Sequence, residues 1–306
     1  MADSRVVVAP RLPFFLVDVF AERPLEGNPL AVVADADAVD EAVMRAIARE
    51  FNQSETTFVV TPSMPGASWR LRSFTPAGVE VGGAGHNALG AWWWLAAAGR
   101  LELDDGAGAF QQEIGGLVLP VEVRGAGGRP RAIAMQQEPP EAGGEVRELD
   151  RLAAALGLGP GDLGSDLPAQ VVSTGAPHLL VQVNDRAAVD RCVPDGARLA
   201  AALRDAGGEG CYVYSLDPLD PGSSAYARFF NPTVGIAEDP ATGTAAGPLA
   251  CHLVSHGVVD DGSAVVIEQG RALGRQSRIR IDVAGERVTI SGAAVIAAEG
   301  TLALGS

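Results

Sequence analysis

Apolar and polar positions change period often along this chain of 306 residues, and each change marks an element. Phe14 to Val19 reads as a strand, the turn-rich AERPLEGNP follows, and Leu30 to Val33 is a second apolar run. Val43, Ile47 and Phe51 recur at helical spacing behind Asp37 or Asp40, either of which can cap a helix. Thr57 to Val60 and WRLRSF (69–74) return to strand. Residues 101–135 read as short strands with turns, and GAGGRPR (125–131) as a linker. Helices are expected around 148–157 and near 195–205, with strands near 170–183 and from Tyr212 to Leu216. The tail 264–304 is strand-like again, in SRIRIDV and RVTISG. Sheet dominates and helices between strands are few, unlike the regular alternation of a doubly wound parallel sheet.

Beneath these periods lies an internal repeat. Arg72-Ser73-Phe74-Thr75-Pro76 is echoed by Arg228-Phe229-Phe230-Asn231-Pro232, GNPLAVV (27–33) by GAPHLLV (175–181), and Gly99 by Gly257 at the close of the following helix. Three paired segments in the same order point to two similarly folded halves, each with a strand, a glycine-rich turn and a central helix.

Composition narrows the chemistry. The net charge of −15 opposes binding to nucleic acid or to anionic lipid. All 23 basic residues are arginines. Without lysine the chain has no Schiff-base residue, no pyridoxal phosphate anchor and no Walker A loop. The three cysteines are too few and scattered for a disulfide framework. There is no apolar run of 18 residues and no signal-peptide order at the N-terminus, so no membrane contact and a cytoplasmic location are expected.

The chemistry-bearing segment is VEVGGAGHNALGAWWWLAAAGR (79–100). Gly83-Ala84-Gly85-His86-Asn87-Ala88 satisfies the dinucleotide fingerprint G-x-G-x-x-[G/A], with Glu102 and Asp104 about 20 residues on. The sheet-rich flanks and the interruptions at Pro76, Gly78 and Glu80 count against that reading. A plainer one is that His86 caps a helix and the glycines permit close packing. The repeat adds a third, because EDPATGTAAG is also rich in glycine and threonine at a helix start. Two facing helix N-termini would aim unpaired N–H groups and positive dipole ends at one point and bind a carboxylate there. Glu55 and Asp239 are candidate acid–base groups beside it, although an isolated carboxylate is most often a solvated surface charge. Cys251, His252 and His256 share a helical face, but the helix end accounts for the histidines and no further ligand is evident, so no metal is expected.

Seven segments, among them DVFAERPLEGNPLAVV, NQSETTFV, RSFTPAGVEVGGAGHNALGA, TGAPHLLV and FFNPTVGIAEDPATGTAAGPLACHL, resemble in order the PhzF family of phenazine-biosynthesis-like isomerases, which is similar in fold to diaminopimelate epimerase. The resemblance implies an α/β (α+β) fold of two pseudo-symmetric domains, each an antiparallel sheet curled around one central helix. The expected halves are residues 1–128, completed by strands at about 290–306, and residues 129–289, with the active site in the cleft between them. It also implies a homodimer, a small anionic substrate and no cofactor. Glu55 in the SET motif takes the place of the family's proton-transferring acid and base. His86 and Asp239 take those of residues that position the substrate, and Gly85 with Gly243 and Thr244 those of carboxylate binders at the helix starts.

Departures from the family pattern bear on the substrate. GHNALG replaces the usual GHPTLG or GHATLG, so Asn87 and Ala88 are expected to reshape the pocket, and Thr244 stands where serine is usual. Ala84 stands where epimerases carry cysteine, which removes a two-thiol racemase mechanism. The expected activity is cofactor-free transfer of a proton between carbons of a small carboxylate. An epimerase using Glu55 and Asp239 as opposed bases, or a catalytically silent ligand-binding member of the fold, are the alternatives.

Overall fold

The computed structural model describes residues 11–304. Residues 1–10 and 305–306, the outer ends of the first expected half and of its completing strands, lie outside the described residues.

The first run of sheet begins with β1 (Arg11–Val19), antiparallel to β2 (Asn28–Val33). β2 is parallel to β3 (Thr56–Val60), and β3 antiparallel to β4 (Trp69–Phe74). The end of β4 pairs with the two-residue β5 (Glu80–Val81), and its start runs parallel to β6 (Gly108–Ile114). β7 (Leu117–Ala126) and β8 (Arg129–Gln136) follow as antiparallel neighbours. β9 (Glu141–Glu145) then leads into a second run with the same pairings. β10 (Gln170–Ser173) is antiparallel to β11 (Pro177–Gln182), β11 parallel to β12 (Gly210–Ser215), and β12 antiparallel to β13 (Ala225–Asn231). β13 pairs at its end with the short β14 (Ile236–Asp239) and at its start, in parallel, with β15 (Ala264–Gln269). β16 (Ser277–Ala284) and β17 (Arg287–Gly292) close the run.

Three ladders join the runs into one connected set of 18 strands. β8 lies antiparallel to β17, β9 edges β10, and the last strand, β18 (Ala294–Ala303), returns to pair with β1 so that Ala303 faces Arg11. Parallel neighbours cannot be joined by a tight turn and need a crossover. Here the crossovers are helices at matching places: α1 (Glu41–Phe51) before β3, α2 (His86–Ala97) before β6, and, beyond α3 (Leu149–Ala155), α4 (Arg186–Arg191) and α5 (Gly196–Ala206) before β12 and α6 (Gly243–Ser255) before β15.

The composition of α2 and α6 explains their central position. Both are apolar on nearly every side, as a helix wrapped by sheet must be, and most of their residues are buried. Gly90 lets β1 and β2 approach α2, since a Cβ there would stand 2.6 Å from Leu30 Cδ2 and 2.8 Å from Val19 Cγ2. Trp92 is fully buried, donates its indole N–H to Gln112 Oε1 at 3.0 Å and stacks on Phe110, a core role for the tryptophan run.

Two local expectations are corrected. The segment 125–131 is a hairpin, not a linker: Ala126 faces Arg129 across Gly127 and Gly128, both at positive φ, which is what a two-residue turn between twisted strands demands. An expected boundary at 128/129 therefore falls inside a turn, and β8 continues the ladder of the first run. Asp40 occupies the N-cap position of α1 but makes no side-chain cap bond, while Asp37 accepts the Thr61 N–H at 2.7 Å instead.

Candidate active site

Glu55 immediately precedes β3, and His86 is the first residue of α2. The parallel and antiparallel neighbours of β3 bring them together: His86 Nε2 stands 2.8 Å from Glu55 Oε2, with the side chains only 13% and 19% exposed. The two atoms touch without the alignment of a hydrogen bond, and neither has another partner among the described residues. Burial alone would lower the basicity of His86, but the charge of the adjoining Glu55 carboxylate, reinforced by that of Asp239, outweighs it and raises the imidazole pKa. Both carboxylates therefore favour the protonated form of the His86 ring.

Asp239 ends β14 and is buried. Burial raises its pKa from 3.8 to about 6, opposed by His86 and by the Thr242 and Asn28 hydrogen bonds and reinforced by the charge of Glu55. Its Oδ1 accepts from Asn28 Nδ2 at 3.0 Å and its Oδ2 from the Thr242 hydroxyl. Gln269 braces the segment from below, donating to the Asp239 carbonyl at 2.8 Å and to Thr242 Oγ1 at 3.0 Å while accepting the Thr242 N–H and the Tyr212 hydroxyl. Glu55 and Asp239 thus act on His86, and His86 and Glu55 on Asp239, although Asp239 comes from the other run of the sheet. The starts of α2 and α6 converge with them, because His86 opens one helix and Asp239 stands just before the other.

The remaining residues singled out from the sequence divide. Gly243 opens α6; a Cβ there would meet Ile290 Cδ1 at 2.4 Å, and its carbonyl accepts from Gln137 Nε2 at 3.0 Å. The Thr244 hydroxyl is turned to His178 Nε2 at 3.2 Å. Burial lowers the pKa of His178 to about 4, so that ring is neutral. Gly85 caps α2 and donates its N–H to Asn87 Oδ1 at 2.8 Å. Asn87 also donates to Ser73 Oγ and to the Gly83 carbonyl, so its amide holds the glycine turn instead of facing a ligand. Asn87, expected to reshape the pocket, acts in this way on the turn that carries Gly85 and His86. Asn28, Gln137, His178 and Gln269 were not singled out from the sequence, although Asn28, His178 and Gln269 lie inside the segments that carry the resemblance.

A cavity of about 420 Å³ lies behind this network, lined by Phe20, Glu26, Gln269, Arg271 and Ser277 among others, and it excludes Glu55 and His86. No group of three or more His, Cys, Asp or Glu side chains among the described residues is arranged to hold a metal ion. No helix of the described residues is long and apolar enough to cross a membrane.

A family model described as phenazine biosynthesis-like protein matches residues 17–300. The chain belongs to the PhzF family. Relatives of this PhzF-family chain include the trans-2,3-dihydro-3-hydroxyanthranilate isomerase of Pseudomonas aeruginosa, 36% identical over 296 residues that cover 94% of the chain and 98% of the relative. The uncharacterized isomerase YddE of Escherichia coli O157:H7 is 35% identical over 92% of the chain and 94% of its own length. Among solved structures, a Bacillus anthracis phenazine biosynthesis protein of the PhzF family superposes with a TM-score of 0.88 at 27% identity, covering 96% of this chain and all of that one. A protein described as a probable proline racemase from Agrobacterium radiobacter, at 13% identity and a TM-score of 0.66 over 96% of this chain and 93% of its own, shares the fold alone. Family and relatives make this PhzF-family chain an isomerase, on the α/β architecture shared with the epimerases.

Proposed function

We propose that this enzyme is a cofactor-free isomerase that moves a proton between two carbons of a small carboxylate. Glu55 is the acid and base. It takes the proton from a carbon acidified by an adjacent unsaturated or carbonyl system, and returns it to a second carbon of the same molecule while the double bond shifts between them. The observation that carries the reading is the 2.8 Å contact of Glu55 with His86 at the start of α2. A carboxylate there can take up and return a proton, and the imidazole N–H beside it can stabilise the negative charge that develops on substrate. Asp239 and His86 position the substrate, and the opening N–H groups of α2 and α6 receive its carboxylate.

The isomerase of P. aeruginosa named above suggests trans-2,3-dihydro-3-hydroxyanthranilate as the first compound to try. The halves that close on the site are residues 11–136 with 294–304, and residues 141–292. The protein works as a cytoplasmic homodimer, which sedimentation of the purified protein tests.

Proton NMR in D2O tests the chemistry. Deuterium is expected to enter one carbon of the substrate with the wild-type protein and not with Glu55→Gln. Incorporation at a stereocentre with inversion would instead indicate an epimerase. Binding seen as line broadening without exchange, across dihydroaromatic and amino acids, would indicate a silent binding member of the fold.

A further inference from the structure

Asn28 opens β2 in the first run of the sheet, yet its side chain works in the second. Its Nδ2 donates to Asp239 Oδ1 at 3.0 Å and to the Ala241 carbonyl at 2.9 Å. Both partners accept hydrogen bonds, so the amide is forced to turn its NH2 towards them. The consequence is that Asn28 Oδ1 is fully buried with no partner among the described residues. A buried acceptor left unpaired costs stability, and its persistence calls for an explanation outside stability.

The residue before it is fixed just as firmly. Gly27 donates its N–H to the Gln276 carbonyl at 2.9 Å and accepts from Arg275 Nε at 2.8 Å. Arg275 also pairs with the buried Asp18 at 2.5 Å. Gly27 has φ +63°, and a Cβ there would stand 2.2 Å from the Val19 carbonyl oxygen. Backbone, ion pair and glycine turn together set the position from which Asn28 reaches across.

We infer that Asn28 is a positioning residue of the isomerase, holding Asp239 in its ionised form and in place across the junction of the two halves. The inference rests on the reading of Asp239 as a substrate-positioning group. The N–H aimed at the carboxyl favours its charged state, and the one aimed at Ala241 fixes the turn that follows it. The other groups acting on Asp239 are His86 from α2, Glu55 from the approach to β3, and Tyr212 from β12, whose own ionisation Asp239 opposes. His86 and the Asn28 and Thr242 bonds keep the acid ionised, and Glu55 and burial work against it.

The test follows the carboxyl carbons of 13C-aspartate-labelled protein by NMR, with the Asp239 signal assigned by its absence from Asp239→Asn. In the wild type its midpoint is expected near pH 6. In Asn28→Ala the midpoint is expected to rise by about one pH unit, the worth of one hydrogen bond to a charge. The acid limb of kcat should move up with it, with turnover recovering at higher pH. An unmoved Asp239 midpoint in a folded Asn28→Ala overturns the inference. The wild type supplies a second measurement that needs no variant: the Asn28 side-chain NH2 resonances should shift with the Asp239 midpoint, and their standing still from pH 5 to pH 7.5 overturns it equally. If Asp239→Asn retains full turnover, the reading of the site fails, while the dependence of the midpoint on Asn28 is still measurable.

Discussion

Arg228 closes on Glu238 through two parallel hydrogen bonds, Nε to Oε1 at 2.9 Å and Nη2 to Oε2 at 2.7 Å. The same clasp stands at the matching place in the first run, where Arg72 holds Glu80 at 2.7 and 2.8 Å. Each ties a long strand to the short one that leads into a central helix. Their environments differ: Arg228 and Glu238 are 10% and 11% exposed, whereas Glu80 is 39% exposed. Glu238→Ala is expected to cost about 3 kcal/mol, because a buried guanidinium loses its counter-ion. Glu80→Ala is expected to cost less than about 1 kcal/mol. Urea unfolding of both variants checks the contrast, and equal losses would contradict it.

Glu55→Gln should lower turnover by about two to four orders of magnitude while the protein remains folded. It has a second signature. With the carboxylate gone, burial of His86 is opposed only by Asp239, so the imidazole pKa should fall from its raised value. Histidine-selective NMR titration reads that fall, and an unmoved His86 would separate the two residues functionally.

Stability should respond to pH through Asp239. Its pKa is about 6 when folded and 3.8 ordinarily, so between those values the folded protein holds the proton that the unfolded chain has released. Stability therefore falls as pH rises through that window, by up to about 3 kcal/mol from this group. His86 acts later: its raised pKa contributes stability that is complete below about pH 6.5 and lost as pH rises through the folded value. Asp239→Asn should flatten the stability curve between pH 4 and pH 6 and abolish turnover, as denaturant melts across pH would show.

Gly247 lies one turn into α6, against Gln137 and Thr174. A Cβ there would stand 1.8 Å from Gln137 Oε1 and 2.9 Å from Thr174 Oγ1. Gly247→Ala should displace Gln137, which holds the Gly243 carbonyl, at a cost of about 1–3 kcal/mol. The variant is expected to raise KM more than it lowers kcat, since the helix start moves and Glu55 does not.

Elements whose side chains announce their period were legible along the chain. The strand at 69–74 matches β4, and the alternating tail matches β16, β17 and β18. The hairpin at Gly127 and Gly128 reads as a linker in the sequence, because a glycine pair looks the same in both until the strands on either side are known to pair. His86 stands out by its glycine turn, and Glu55 and Asp239 are no more than candidates from the sequence; only the resemblance to a family gives the three their roles, because a single carboxylate has no spacing signal of its own. Asn28 reaches Asp239 across 211 residues, and no local pattern encodes that contact. Asn87 shows the opposite difficulty. A polar residue in a glycine turn reads as a change to the pocket, and nothing in the sequence shows that its amide supplies bonds that the turn cannot make for itself.

The return of β18 to β1 makes the connectivity circular in all but covalent terms. Arg11 and Ala303 are cross-strand partners, and β9 edges β10 as β18 edges β1. A polypeptide joined across Arg11 and Ala303 and opened between β8 and β9 would keep every ladder and both central helices. Its halves would only exchange their order of synthesis, so the architecture fixes the neighbours of each strand while leaving free the point at which the ribosome begins.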